Sequence, residues 1–494
     1  MEEGNSSSES LLIRSANCTY YSNCPGCKVE TLKERRRGVP YREFSYIWLV
    51  SLCTALPTTS LYPFLYFMIR DFHIAKCEED IGFYAGFMGS SFMVGRALTS
   101  ILWGMAADRY GRRPIILIGT LSVFIFNTLF GLSSNFWMAL SVRFILGCFN
   151  SLLGTIRAYA SEICREEHRG LALSVVSTSR GIGLVIGPAV GGFFAMPADK
   201  YPNVFAQNSI FGRFPYFLPC LIISAYAAVV FALSWWLPET LHMHKEKKNI
   251  THHSRDVPKD PTSENVDKKH SNVDSTDSHS NGNLFKNWPL MSTIIVYCVF
   301  SLQEMAYTEI FSLWAVSDKK YGGLSFSSQD VGIVLAISGF GLLLFQLFIY
   351  PQVEKRLGPL TVTRLSAVVS IPLLSSYPYI ALLSGVMLHL VINVASLLRN
   401  TLSVSLVTGL FILLNDAVPQ RQRGAANGIS MTAMSIFKAI APAGGGAIFS
   451  WAQKRQHAAF LPGDQMVFFI LNVVQILGLL LTFKPFLAQP SERQ

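Results

Sequence analysis

Long stretches without a single Asp, Glu, Lys or Arg recur along this chain: residues 114–142, 214–238, 331–353, 465–483 and, longest of all, 365–398. A helix of about 20 mostly apolar residues crosses a bilayer, because its backbone hydrogen bonds close internally where lipid offers none. Only 15% of the 494 residues are charged and 50% are hydrophobic, whereas soluble domains average about 25% charged. Soluble and disordered chains are excluded on those grounds, and nine cysteines are too few for a disulfide scaffold. The expected fold is an all-α membrane protein with twelve transmembrane helices. They are placed at 44–69, 81–105, 114–133, 136–159, 171–195, 214–237, 287–316, 331–351, 363–383, 387–414, 424–450 and 465–484.

Basic residues then orient the chain. With Arg364 and Lys484, at the very ends of their spans, counted with the adjoining loop and tail, twenty-seven of the 41 Lys and Arg fall on the side shared by both termini, eight on the other, and six inside spans. Positive loops stay in the cytosol, so both termini are expected there. The net charge of +10 is therefore a mark of topology, and no nucleic-acid partner is expected. No cleavable leader is read in the polar first 43 residues.

Five regions follow: a cytosolic N-tail (1–43), a six-helix bundle (44–237), a His-rich linker of disordered composition (238–286), a second six-helix bundle (287–484) and a cytosolic C-tail (485–494). The bundles are internal repeats. Glu162, Arg169, Pro188, Gly191 and Gly192 recur at one constant offset as Asp416, Arg423, Pro442, Gly445 and Gly446. Two pseudo-symmetric halves facing one another are the construction of a rocking secondary transporter, with its site near the membrane midplane.

Gly104, Asp108, Arg109, Gly111, Arg112 and Arg113 lie between spans 2 and 3 in a pattern that resembles the loop motif of the major facilitator superfamily. Together with Glu162 and Asp416 they are read as a conformational gate, in which ion pairs latch one state and release in the other. Anchoring by inside-positive charge is the alternative. Gly183, Gly187, Pro188, Gly191 and Gly192 in span 5 resemble the antiporter motif of that superfamily. Glycines four apart bring helices close in any case. Cys24-Pro-Gly-Cys27, Trp103-Gly104, Ser174 ahead of Gly183, and Pro238-Glu239-Thr240-Leu241-His242 together resemble the plant zinc-induced facilitator-like family, over essentially the whole chain. That resemblance implies proton-coupled transport, by antiport, of a metal chelator such as nicotianamine or a mugineic-acid phytosiderophore, in the service of zinc and iron homeostasis. It leaves open potassium or auxin-related transport, and either the plasma membrane or the vacuolar membrane.

Charges inside spans are expensive and so are functional candidates. Arg96, Arg143, Arg157, Arg180, Arg399 and Lys438 outnumber Glu304 and Glu309. An excess of cations suits a carboxylate-bearing solute, since Arg clamps a carboxylate with two parallel bonds, and it suits bare zinc poorly. Arg180, Arg399, Lys438, Tyr307 and Asn393 are assigned to substrate; Glu304, Glu309 and Arg143 to proton coupling, with an interfacial role for Glu309 as the alternative. Glu304 is the expected proton exchanger. Cys24, Cys27, His242 and His244 are candidates for a regulatory metal site, against an inert thiol pair in a solvated linker. No nucleotide loop, catalytic triad or closed metal site is present, so an enzyme is not expected, nor a cofactor. A metal-sensing receptor is the rival class to a carrier. The expected partners are a small-molecule substrate, protons and the bilayer, and the expected state is a monomer.

Overall fold

The computed structural model describes residues 13–15, 18–20, 24–35, 38–150, 152–165, 168–241, 284–418 and 422–487. Ten of its helices are long and apolar enough to cross a membrane. Two others complete the twelve: Tyr41–Thr59, continued after a turn by Leu65–Asp71, and Ile81–Tyr110. The latter carries Arg96, Asp108 and Arg109 among many small residues, which dilutes its hydropathy.

In chain order, span 1 is Tyr41–Thr59 with Leu65–Asp71, span 2 Ile81–Tyr110, span 3 Arg112–Gly131, span 4 Phe136–Ile163, span 5 Arg169–Phe194 and span 6 Phe217–Ser234. Span 7 is Trp288–Val316, span 8 Ser328–Leu357, span 9 Pro359–Ile380, span 10 Gly385–Asp416, span 11 Arg423–Gln453 and span 12 Asp464–Leu481. These bounds lie close to those expected from the charge-free runs. Span 4 is interrupted after Phe149 and resumes at Leu153.

Local chemistry sets the ends. Asn135 and Asn287 accept from the backbone N–H groups of Met138 and Leu290, and Ser327 with Asp330 forms a reciprocal capping box. Spans 2 and 3 are separated by Gly111 alone, at φ 107°; Gly358, at φ 76°, does the same between spans 8 and 9. Both positions need the left-handed region, which glycine enters without steric penalty.

Small residues decide which helices touch. Gly183, Gly187 and Gly191 press one face of span 5 onto Ala55, Thr59 and Ser60 of the first span, and a Cβ on Gly183 would sit 2.8 Å from that of Ala55. Gly192 faces elsewhere, against Ser328 and Gly332 of span 8. The repeat does likewise: Gly445 meets Ala306 of span 7, while Gly446 meets Gly82 and Gly86 of span 2. Each half therefore uses one glycine to close its own bundle and the next to meet the other half. The halves join mainly along spans 2 and 11 and spans 5 and 8.

The face bearing the described ends of the chain, near Pro25 and Leu487, is here the tail side. At the opposite side the halves are fastened. Glu78 pairs with Lys320 at 2.7 Å and Asp80 with Lys454 at 2.6 Å. Lys200 donates to the Gly192 carbonyl at 2.6 Å and to Ser328 Oγ at 2.8 Å. At the tail side spans 2, 4, 5 and 11 diverge around a cavity of about 620 Å³. The conformation is closed opposite the tails and open toward them.

The N-tail departs from its expected character as a bare polar segment. Pro25–Arg35 is a helix, held because Gly26 N–H donates to Leu241 O and the Arg165 guanidinium donates to the carbonyls of Lys33 and Glu34. Ile13–Ser15 and Cys18–Tyr20 precede it as a short antiparallel pair.

Candidate functional site

Span 7 presents two carboxylates in contrasting surroundings. Glu304 accepts from Lys438 of span 11 at 2.9 Å, and the guanidinium groups of Arg180 and Arg399 lie within electrostatic reach of it. Arg399 is only 1% exposed; its guanidinium donates to Gln303 Oε1 and lies 4.7 Å above the Tyr307 ring. Tyr307 in turn shares a 2.6 Å hydrogen bond with Tyr377. One acid, two cations and a tyrosine pair of the second half thus lie together, with Arg180 of the first half within electrostatic reach.

Glu309 is different. It is fully buried, and neither carboxylate oxygen has a hydrogen-bond partner among the described residues. It sits against Gly89 of span 2 and is within electrostatic reach of Arg143 of span 4 and Tyr62. A Cβ on Gly89 would stand 2.9 Å from Glu309 Oε2 and 3.0 Å from Pro442 Cβ, so glycine is what admits the carboxyl to the junction of the halves. Arg143 donates to Pro57 O at 2.9 Å and is held between the rings of Phe92 and Phe130, each 5.2 Å away. The carbonyl it uses is available because Pro57 lies in the last turn of Tyr41–Thr59, where carbonyls have no following helical N–H to accept from.

At the tail side a knot of polar groups closes the first half on itself. Arg112 bridges Asp108 at 2.6 Å and Glu162 at 3.0 Å. Glu239 accepts from the backbone N–H groups of Arg112 and Arg113 at 2.9 and 3.0 Å, thereby capping span 3. Thr240 donates to Glu162 at 2.6 Å. A side chain on Gly111 would collide with the Glu239 carboxylate.

The sequence profile of the Major Facilitator Superfamily matches residues 47–442. Protein ZINC INDUCED FACILITATOR 1 of Arabidopsis thaliana is 60% identical over 95% of this chain and 96% of its own length. A probable peptide/nitrate transporter of the same plant is 67% identical over 94% of this chain and 96% of its own. This chain belongs to the zinc-induced facilitator-like family of the major facilitator superfamily. In fold the facilitator is similar to a D-xylose-proton symporter, with a TM-score of 0.68 at 15% identity, covering 91% of this chain and 98% of that one. It is thus a multi-pass membrane transporter that handles a small-molecule substrate, and its family consists of carriers rather than enzymes.

Of the residues singled out in the facilitator's sequence, Glu304, Lys438, Arg399, Tyr307 and Arg180 are brought together. Asn393 stands apart, its side-chain amide donating to His389 O of its own helix. Arg143 and Glu309 form a second locus. Within the loop motif, Asp108, Arg112 and Glu162 are joined, while Arg109 stacks over Tyr110 at 5.6 Å and Arg113 donates to Trp235 O. Asp416 ends span 10. Gly104 lines the tail-side cavity. Cys24 and Cys27 are buried together at the start of the tail helix. Among the described residues no group of three or more His, Cys, Asp or Glu is placed to hold a metal; His242 and His244 lie outside them. Sequence reasoning missed Glu239 as the cap of span 3. Glu239 belongs to a family signature segment, yet the bond it makes spans more than a hundred residues.

Proposed function

We propose that this facilitator is a proton-coupled antiporter that exports a carboxylate-bearing metal chelator, such as nicotianamine or a mugineic-acid phytosiderophore, from the cytosol, with the tail side cytosolic. The observation that carries this reading is the separation of Glu304 from Glu309. In the open cavity a substrate carboxylate competes with Glu304 for Lys438, and Arg399 and Arg180 take further carboxylates by charge-assisted hydrogen bonds. The released Glu304 then faces the substrate's amines. Glu309 is the better proton carrier of the two. An ionised carboxylate buried without partners costs several kcal/mol, so the group suits a cycle in which it crosses the hinge between halves neutral and gives up its proton when the halves rock apart. Arg143, held by Pro57 O, supplies the countercharge. In this reading Glu304 serves substrate release and Glu309 carries the coupling.

The test is flux in proteoliposomes holding the full chain, with labelled nicotianamine, deoxymugineic acid, potassium, auxin, nitrate and a dipeptide compared under an imposed proton gradient. The last two enter because of the relative named as a probable peptide/nitrate transporter. Gradient-driven flux of a chelator, lost in Glu309→Gln while counterflow exchange persists, supports the reading. Chelator flux indifferent to the gradient, or flux of potassium alone, overturns it.

A further inference from the structure

Three arginines of the first half take no part in the clusters above except where Arg180 nears Glu304. Arg96 of span 2 and Arg157 of span 4 both line the tail-side cavity. Arg157 and Arg180 lie within electrostatic reach of Arg96. Among the described residues, no carboxylate pairs with any of the three; the one directional contact recorded for them is Arg157 to Met431 Sδ at 3.8 Å. The acid nearest the cavity mouth, Asp108, is taken by Arg112 at 2.6 Å. The facing wall, from span 11, is neutral and polar: Asn427, Thr432 and Ser435.

Counted at ~1.5 Å per residue from the tail-side end of each helix, these charges form a ramp. Arg157 lies ~9 Å in, Arg180 ~17 Å and Arg96 ~21 Å, and Lys438, Glu304 and Arg399 follow at ~22 to 26 Å. Like charges held this close repel one another, and a water-filled cavity with apolar walls screens them less than bulk solvent does. An anion entering the cavity relieves that repulsion at each step.

We infer that Arg96 and Arg157 form a station for polycarboxylates on the first-half wall of the cavity, with Arg157 meeting the solute's anionic groups before the Lys438 cluster does and Arg96, level with that cluster, holding them beside it. Asn427 and Ser435 complete it with neutral hydrogen bonds from the other half, so an occupied station also bridges the open cleft. This inference rests on the reading of the cavity as a substrate path, but the site itself requires only a molecule with two or more carboxylates.

Citrate serves as the probe, titrated calorimetrically into the purified full chain at low and at 0.15 M salt. Wild type is expected to bind it, more weakly as salt rises. Arg96→Gln/Arg157→Gln should weaken binding at least tenfold and flatten the salt dependence. Arg96→Lys/Arg157→Lys, which keeps the charges but loses the planar fork, should bind more weakly than wild type yet more tightly than the glutamine pair and keep its salt dependence, and it guards against a folding defect in the glutamine pair, which must also elute as a single species. Absence of citrate binding to wild type at low salt, or equal binding by the glutamine pair, overturns the station. Failure of nicotianamine flux with citrate binding intact and sensitive to both arginines removes the proposed substrate and leaves the station standing.

Discussion

The two halves share a helix plan and differ in how they treat charge. In mid-span the first half carries Arg96, Arg143, Arg157 and Arg180 with no acid among them, whereas the second carries Arg399 and Lys438 with Glu304 and Glu309. Packing is repeated faithfully, down to consecutive glycines that perform the same two jobs in spans 5 and 11. Electrostatics is not repeated. The second half neutralises itself through Glu304 and Lys438, the first leaves its cations to the cavity, and one acid, Glu309, crosses to meet the first half at Arg143. A repeat that kept its steric skeleton while diverging in charge acquires a directional site: cations on one wall, a paired acid on the other, and a lone carboxyl at the seam.

The largest test of that asymmetry is Glu309→Gln. If Glu309 carries the coupling as proposed, gradient-driven accumulation in proteoliposomes should fall to the level of empty vesicles while counterflow remains. Equal loss of counterflow would make the seam structural instead. Second, Lys438→Gln strands Glu304. Breaking a partly buried pair of this kind costs about 1–3 kcal/mol of stability after allowing for cavity water, and losing the ammonium's contact with a substrate carboxylate, worth about 1.5–3 kcal/mol, should drop affinity about 10- to 100-fold. Adding Glu304→Gln should recover thermal stability but not affinity; recovery of affinity would mean that Lys438 never meets substrate.

Third, the opposite side can be loosened without touching either half's interior. Glu78→Lys sets like charges against Lys320 and should raise labelling of a cysteine introduced behind the latch about two- to fivefold, with Glu78→Lys/Lys320→Glu restoring wild-type labelling. Unchanged labelling would assign closure to the glycine contacts alone. The smallest effect concerns Lys200, outside the spans, whose ammonium is pushed down to about 8 by burial. The unfolded chain then binds more protons between pH 8 and the ordinary lysine range, so this group's penalty is full below pH 8 and is relieved as pH rises through that window. Thermal stability should therefore gain a small increment above pH 8 in wild type that Lys200→Met lacks.

Much of this was legible in sequence because bilayers impose strict one-dimensional rules. Runs without charge had to be spans, and the constant offset of Pro188 and Pro442 had to reflect a repeat. The motif residues Asp108, Arg112 and Glu162 could be grouped from pattern alone, and Arg112 does bridge the two acids. Their fourth member, Glu239, could not, since nothing local distinguishes a carboxylate that caps a distant helix from one that is merely solvated. Asn393 illustrates the converse: a polar residue in an apolar span invites assignment to a site, but its amide nitrogen donates to the His389 carbonyl one turn back on its own helix.

What the sequence determined by itself was the membrane setting, the twelve crossings, the doubled bundle and the excess of buried cations, because each depends on composition along the chain. Only the tertiary structure decided which acid is paired and which is alone. Glu304 and Glu309 sit on one helix and read alike as letters; helical rotation aims the first at Lys438 and the second at Gly89, where the missing side chain leaves room for a carboxyl and nothing to bond it.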